Sequence, residues 1–211
     1  MDRELLAFTY MHSTSLQMLK KANRYFPIVE PILKENGIPD DFKYLMVIES
    51  NMNPTARSSA GAAGLWQFMQ GTGRDYGLEV NNNVDERYHI EKATRAACRY
   101  LKDAYAKYKD WVAVAASYNA GQARIASQLA KQDVDDSLDL QLVEETARYV
   151  YRILAAKQLF SALLLRFPSA RIGFVSAHSL YGSHCDERNC RLGTFARSKG
   201  INLAILKNMN P

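Results

Sequence analysis

No run of apolar residues in this chain reaches the roughly 18 that a helix needs to cross a bilayer. The longest, Leu159–Leu165, stops well short, which excludes a transmembrane helix. No stretch alternates apolar and polar residues over the length of a strand, so the sequence offers no basis for a sheet. Internal repeats, low-complexity segments and blocks of like charge are also missing, which excludes a solenoid and a polyelectrolyte arm. No nucleic-acid-binding motif is present, and no nucleic-acid partner is expected. The opening residues, Met1-Asp2-Arg3-Glu4-Leu5, have no basic segment leading into an apolar one and are not a signal peptide. Either the protein is cytoplasmic, or the chain is a mature fragment whose export signal has been removed.

Cysteine is scarce, with three in 211 residues. Cys98 lies in an apolar helical pattern and is expected to be buried. Cys185 and Cys190 share a polar segment where a local disulfide or two free thiols both fit. His178 and His184 lie nearby, but the spacing matches no standard zinc pattern, and neither a metal nor another cofactor is expected.

What is present is a chain with 47% hydrophobic residues, enough for one domain of ordinary size with an extension. The net charge of +5 fits an anionic polymer partner as well as it fits ordinary solubility. The pattern is that of short helices. Ser13 or Ser15 can cap one that carries Leu16, Leu19 and Ala22, and Pro27 suits the start of another ending near Gly37. Pro39-Asp40-Asp41 opens a helix carrying Phe42, Leu45, Met46 and Glu49. Loop follows through Gly64, a helix is expected to resume around Gly64–Gln70, and Gly77–Val84 is polar loop. Glu86–Tyr108 is the longest helical pattern. Trp111–Tyr118 is a tightly packed helix broken by Asn119-Ala120-Gly121, and Gln122–Gln132 is helical. Asp133–Asp139 reads as acidic loop and Glu144–Phe167 as a helix. From Pro168 the composition shifts toward Gly, Ser, His and Cys, with one further helix near Leu192–Lys199. The expected fold class is all-α, in three parts: a helical extension over 1–37, a main domain over 38–167 and an appendage over 168–211.

The chemistry centres on Met46–Met69. Glu49 lies one turn after Leu45 on a largely apolar face. Desolvation there disfavours the anion and raises the pKa, which suits an acid that donates a proton to a leaving oxygen. A glycosidase ordinarily needs a second carboxylate. Asp75, Asp85 and Glu86 are candidates, but none pairs with Glu49 by local spacing. Acting alone, Glu49 would need another group to stabilise the cation-like transition state, such as the substrate's own acetamido group. Ser58 and Gln67 flank the Gly61–Gly64 turn, where they can orient Glu49 or bind sugar. Tyr118-Asn119-Ala120-Gly121 exposes backbone at a helix end. Tyr149 and Tyr151, two apart on a helix, face different ways, one toward the core and the other toward a cleft.

Glu49-Ser50, Ser58, Gly61-Ala62-Ala63-Gly64-Leu65-Trp66-Gln67-Phe68-Met69, Tyr118-Asn119-Ala120-Gly121 and Glu145-Thr146 with Tyr149-Val150 occur in the order and approximate spacing of a known catalytic domain. The chain resembles the soluble-lytic-transglycosylase (SLT) family, most of all its membrane-bound lytic transglycosylase D branch, over about Pro39–Leu159. Gln70 departs from the pattern, where the family often has proline, and no glycan-binding repeat of that branch is recognisable in 168–211. The resemblance implies a lysozyme-like helical fold and cleavage of the β-1,4 bond between N-acetylmuramic acid and N-acetylglucosamine in peptidoglycan, leaving 1,6-anhydro ends. It implies Glu49 as acid and then base. Ser58 and Gln67 would contact the substrate acetamido region or Glu49, Tyr118 and Asn119 would shape the cleft, and Tyr149 would lie near the intermediate.

A peptidoglycan glycan strand is then the expected partner of a monomer, in the periplasm or cell envelope, with an export signal or membrane anchor outside this chain. That setting favours a Cys185–Cys190 bridge. The runners-up are a goose-type lysozyme-like hydrolase, which would need a second carboxylate to position water, and a non-catalytic peptidoglycan-binding protein, which would not need Glu49.

Overall fold

The computed structural model describes residues 12–132, 144–166 and 192–200. The chain divides into two compact units, Met1–Ser176 and Ala177–Pro211. In chain order the helices are α1 (His12–Glu35), α2 (Tyr44–Ser50), α3 (Gln70–Asp75), α4 (Ile90–Tyr108), α5 (Trp111–Ala120), α6 (Gln122–Gln132), α7 (Glu144–Arg166) and α8 (Leu192–Ser198), with 3₁₀ turns at Asp40–Lys43 and Glu86–Tyr88. Of the second unit, α8 and the turn after it are described. Among the described residues β pairing is confined to isolated bridges: Arg57 with Ala63, Ala63 with Phe68, and Val80 with Asp85. No described helix is long and apolar enough to cross a membrane. Cys185, Cys190, His178, His184 and the Asp133–Asp139 segment lie outside the described residues.

The first departure from expectation is α1, which is one helix instead of two. It contains Ser13 and Ser15 and runs through Pro27 and Pro31. Both prolines are exposed and four residues apart, so they lie on one face of the helix. The opposite face buries Met18, Leu19, Ala22, Tyr25, Val29, Ile32 and Leu33. Apolar packing of that face, largely against α4, offsets an interior-proline cost of about 3 kcal/mol each. A local rule placed a helix start at Pro27, and long-range burial overrides it.

At the centre of the unit, α5 contacts α4, α6 and α7. Its run Ala113-Val114-Ala115-Ala116-Ser117 is fully buried, and the small side chains let three neighbours approach it closely. The Asp110 carboxylate caps its start, accepting from Val112 N at 2.7 Å. Asn119 and Ala120 stay within the helix, and only Gly121, at φ 86°, ends it. The long helix expected over Glu86–Tyr108 begins at Ile90, because Glu86–Tyr88 tightens into a 3₁₀ turn.

Residues Gly64–Gln67, expected to begin a helix, form a tight turn instead. Ala63 N donates to Phe68 O at 3.0 Å and Gly64 N to Ala56 O at 2.9 Å. Trp66 is fully buried, and its Nε1 donates to Thr94 Oγ1 of α4 at 2.9 Å. A helix is impossible here because Gly64 and Gln67 hold φ of 78° and 49°. Gly64 has a second constraint: a Cβ would lie 2.0 Å from the Arg87 carbonyl oxygen. Gly61 shares the positive φ, at 90°, but a Cβ there meets nothing within 4 Å. Gly61→Ala is therefore expected to cost about 1–2 kcal/mol, and Gly64→Ala clearly more, since backbone must move as well. Urea denaturation of the two variants checks this, and equal midpoints would contradict the close approach.

Candidate active site

Glu49 stands in the last turn of α2. That helix is only seven residues long, too short to hold by propensity, and is kept by burial of Tyr44, Leu45, Met46 and Val47. It ends in two left-handed residues, Asn51 and Met52, at φ 53° and 52°. Asn51 N returns to Val47 O at 3.1 Å and Met52 N to Met46 O at 3.0 Å. Lys21 of α1 donates from Nζ to Asn51 O at 2.9 Å, which places a cation at the negative end of the helix. The buried Ser50 hydroxyl lies 3.0 Å from Met46 O and 2.9 Å from Leu65 O, tying the helix end to the glycine turn. The neighbour of Glu49 in its motif is thus a structural link.

The Glu49 carboxylate is itself partly buried. Its hydrogen-bond partner among the described residues is Tyr149 of α7, 100 positions away, whose hydroxyl donates to Oε1. Burial raises the Glu49 pKa above the usual glutamate value. The Tyr149 hydrogen bond and the Arg152 guanidinium oppose that rise without cancelling it. Among the described residues, no carboxylate acts on it. Tyr149 is almost fully buried, and burial together with the Glu49 charge pushes its phenol well above the ordinary range, so it stays a neutral donor.

The Tyr118 hydroxyl donates to Trp66 O at 2.7 Å, and burial and Glu49 both raise its pKa. Its ring lines a cavity of about 310 Å³ with Gln67, Phe68, Met69, Tyr100 and Asn119. Glu49 is not in that lining, and Tyr118 is what links the cavity to it. Asn119 is exposed, and its Oδ1 accepts from the buried Thr146 hydroxyl at 3.3 Å. The Gln67 amide donates from Nε2 to Gly64 O at 2.8 Å and Ala56 O at 3.2 Å. Both partners are carbonyls, so the orientation is fixed and Oε1 is left as the acceptor. Ser58 Oγ accepts from Ala62 N at 3.0 Å. Ser58 and Gln67 therefore build the turn, and neither is bonded to Glu49.

The carboxylates considered as partners for Glu49 are engaged elsewhere or exposed. Asp85 grips Arg87, which lowers its pKa. Glu86 accepts from Lys92 and from Glu79 N. Asp75 is exposed. The division of Tyr149 and Tyr151 between core and cleft is corrected: Tyr149 is both buried and at Glu49, while Tyr151 is 42% exposed. Sequence reasoning missed Arg87 and Arg152, named Thr146 only as part of a motif, and took Tyr100 for stripe alone. The Tyr100 hydroxyl donates to Ser117 O at 3.1 Å, and burial pushes its pKa up to about 12. One local signal pointed to Arg152: it lies one turn after Tyr149, on the same helix face.

A carboxyl whose folded pKa is raised contributes stability that is complete below the unfolded pKa and is lost as pH rises through the folded one. Glu49→Gln, isosteric with the acid form, is expected to raise the melting temperature near neutral pH and to leave it unchanged at about pH 4. A drop of similar size at both pH values would contradict desolvation as the cause.

A family model described as the transglycosylase SLT domain matches residues 27–139. Membrane-bound lytic murein transglycosylase D of Escherichia coli is 31% identical over 156 residues, covering 72% of this chain and 34% of that protein. The chain thus spans about a third of the length of that curated relative. Among solved structures, the 70 kDa soluble lytic transglycosylase of Escherichia coli superposes with a TM-score of 0.57 at 22% identity, over 66% of this chain and 24% of the other. An inactive mutant of the lytic transglycosylase Slt from Pseudomonas aeruginosa gives 0.55 at 22%, over 67% and 24%. That likeness shows the fold, a lysozyme-like helical domain. Because the family match takes in Glu49, the glycine turn and Tyr118 over more than half of the chain, the protein belongs to the transglycosylase SLT-domain family.

Proposed function

We propose that this protein is a peptidoglycan lytic transglycosylase that cleaves the β-1,4 bond between N-acetylmuramic acid and N-acetylglucosamine. The observation that carries the reading is the carboxyl of Glu49, with its raised pKa, a tyrosine donor and, among the described residues, no carboxylate acting on it. The protonated Glu49 gives its proton to the glycosidic oxygen as the C1–O bond breaks. The substrate's 2-acetamido oxygen closes on C1 and holds the positive charge as an oxazolinium. Glu49, now a carboxylate, takes the proton of the muramyl C6 hydroxyl. That oxygen attacks C1, opens the oxazolinium and leaves a 1,6-anhydro end. The Tyr149 hydrogen bond stabilises the carboxylate between the two proton transfers, and the burial of Glu49 makes the first transfer favourable.

Around this centre, Gln67 Oε1 offers an acceptor to an acetamido N–H or a sugar hydroxyl. Ser58 holds the turn that presents it, and Tyr118 and Asn119 shape the cleft. A hydrolytic reading would need a carboxylate to position water, and the engagements of Asp85 and Glu86 speak against one. The partner is a glycan strand and the place of action the cell envelope.

Digestion of purified wall followed by mass spectrometry is expected to give muropeptides lighter by one water than hydrolytic products. Reducing ends would overturn the transglycosylase reading. Glu49→Gln is expected to lose about 10³-fold or more in rate. The rate should fall as pH rises through the raised Glu49 pKa, because the first step needs the acid form. Tyr149→Phe removes a hydrogen bond that favours the anion and should move that basic limb to higher pH, which a pH profile of kcat/KM reads directly.

A further inference from the structure

We infer that Arg87 is a positioning residue for substrate binding, holding the glycine-turn wall of the cleft in register through its ion pair with Asp85. The inference rests on the transglycosylase reading of the site. Arg87 is 5% exposed, in the 3₁₀ turn Glu86–Tyr88, and its guanidinium works in two directions. Toward Asp85 it is a fork: Nε donates to Oδ1 at 2.9 Å and Nη2 to Oδ2 at 2.7 Å. Toward the turn, Nη1 donates to Gly61 O at 2.8 Å and Phe68 O at 3.0 Å. One nitrogen therefore grips both ends of the segment that carries Trp66 O and Gln67.

Two further contacts make the bracing tighter. The Arg87 backbone carbonyl lies where a Gly64 side chain would begin, and its methylenes would stand 3.3 Å from a Cβ on Gly73. Arg87 thus meets the wall through its guanidinium and its backbone, with α3 close beside its methylenes. The same wall supplies Gln67, Phe68 and Met69 to the cavity and the carbonyl that anchors Tyr118. Glu49 itself is held by α2 packing and Tyr149, and its helix meets the wall through the Ser50 hydrogen bond to Leu65 O. Arg87 therefore governs how well substrate is gripped more than how acidic Glu49 is.

The guanidinium shape is what the site uses. A lysine ammonium keeps the charge but cannot fork Asp85 and reach two carbonyls together. Arg87→Lys is expected to raise KM for glycan strands by tenfold or more, to lower kcat by less, and to leave the basic limb of the pH profile in place. Asp85→Asn, which keeps the carbonyl contacts and loses the charged fork, should raise KM by a smaller factor. Binding of glycan strands to Glu49→Gln, with and without Arg87→Lys, repeats the comparison in a protein that does no chemistry. KM and affinity unchanged in a folded Arg87→Lys would overturn the inference, as would a melting-temperature loss accompanied by no change in KM. Reducing ends in the wild-type digest would overturn the transglycosylase reading alone, since the KM and affinity comparison still decides Arg87.

Discussion

A carboxylic acid can serve as a proton donor near neutral pH only if its anion is poorly solvated, and the partial burial of Glu49 is the constraint that the rest of the domain serves. In the proposed mechanism burial alone would leave the group inert, because the carboxylate formed between the two proton transfers has to be stabilised when it appears. Tyr149 answers that need. It is a neutral donor, held protonated by its own burial, and it brings no charge that would pull the Glu49 pKa back to the ordinary range. A lysine or arginine in hydrogen-bond contact would stabilise the anion so far that the acid role failed. Arg152 acts on Glu49 only as a charge, and its effect ranks below both burial and the tyrosine.

That balance needs three distant pieces of chain to meet. α2 is too short to stand by itself, so its orientation comes from the core around Leu45 and Met46, with α1 and α7 packed beside it. The α1 contact is polar as well as apolar, since Lys21 reaches the carbonyl that follows the helix end. Tyr149 is carried by α7, whose buried side includes Ile153, Ala156 and Phe160. The central α5 sits against α7 and carries Tyr118 in its last turn, where it meets the glycine turn through Trp66 O. The same buried alanines that let these helices approach thereby fix the distance between the acid and the cleft wall.

The sequence made parts of this legible and hid others for identifiable reasons. Glu49 was visible because an acid on an apolar helical face is a local anomaly. Tyr118 and Tyr149 were visible as members of an ordered set of motifs, although their partners, Trp66 O and Glu49 Oε1, lie 52 and 100 residues away. The helix boundaries that went astray did so where long-range packing overrides a local rule. Pro27 reads as a helix start, but α1 continues through it on the strength of its buried face. Gly64–Gln67 reads as a helix because Leu, Trp and Gln permit one, and the turn is set by partners outside it, Ala56 O and Arg87. Arg87 itself gave no signal. It sits in a polar stretch, and its carbonyl partners are 26 and 19 residues back, in a segment whose shape it determines.

The turn residues named from the sequence as sugar contacts have a second character in the fold. Ser58 and Gln67 each commit one hydrogen-bonding group to the turn's own backbone, so their specificity lies in what is left over. Had Gln67 been held through Oε1, it would present a donor to the cavity; held through Nε2, it presents an acceptor. The turn, and so Arg87 and Gly64 behind it, decides that polarity. The proposed chemistry at Glu49 and the proposed recognition at the turn are then separable: burial sets the acidity of Glu49, and backbone hydrogen bonding sets which sign of hydrogen bond the wall can offer. A change that loosens the wall should weaken recognition first, because Arg87 is not among the groups that shift the Glu49 pKa.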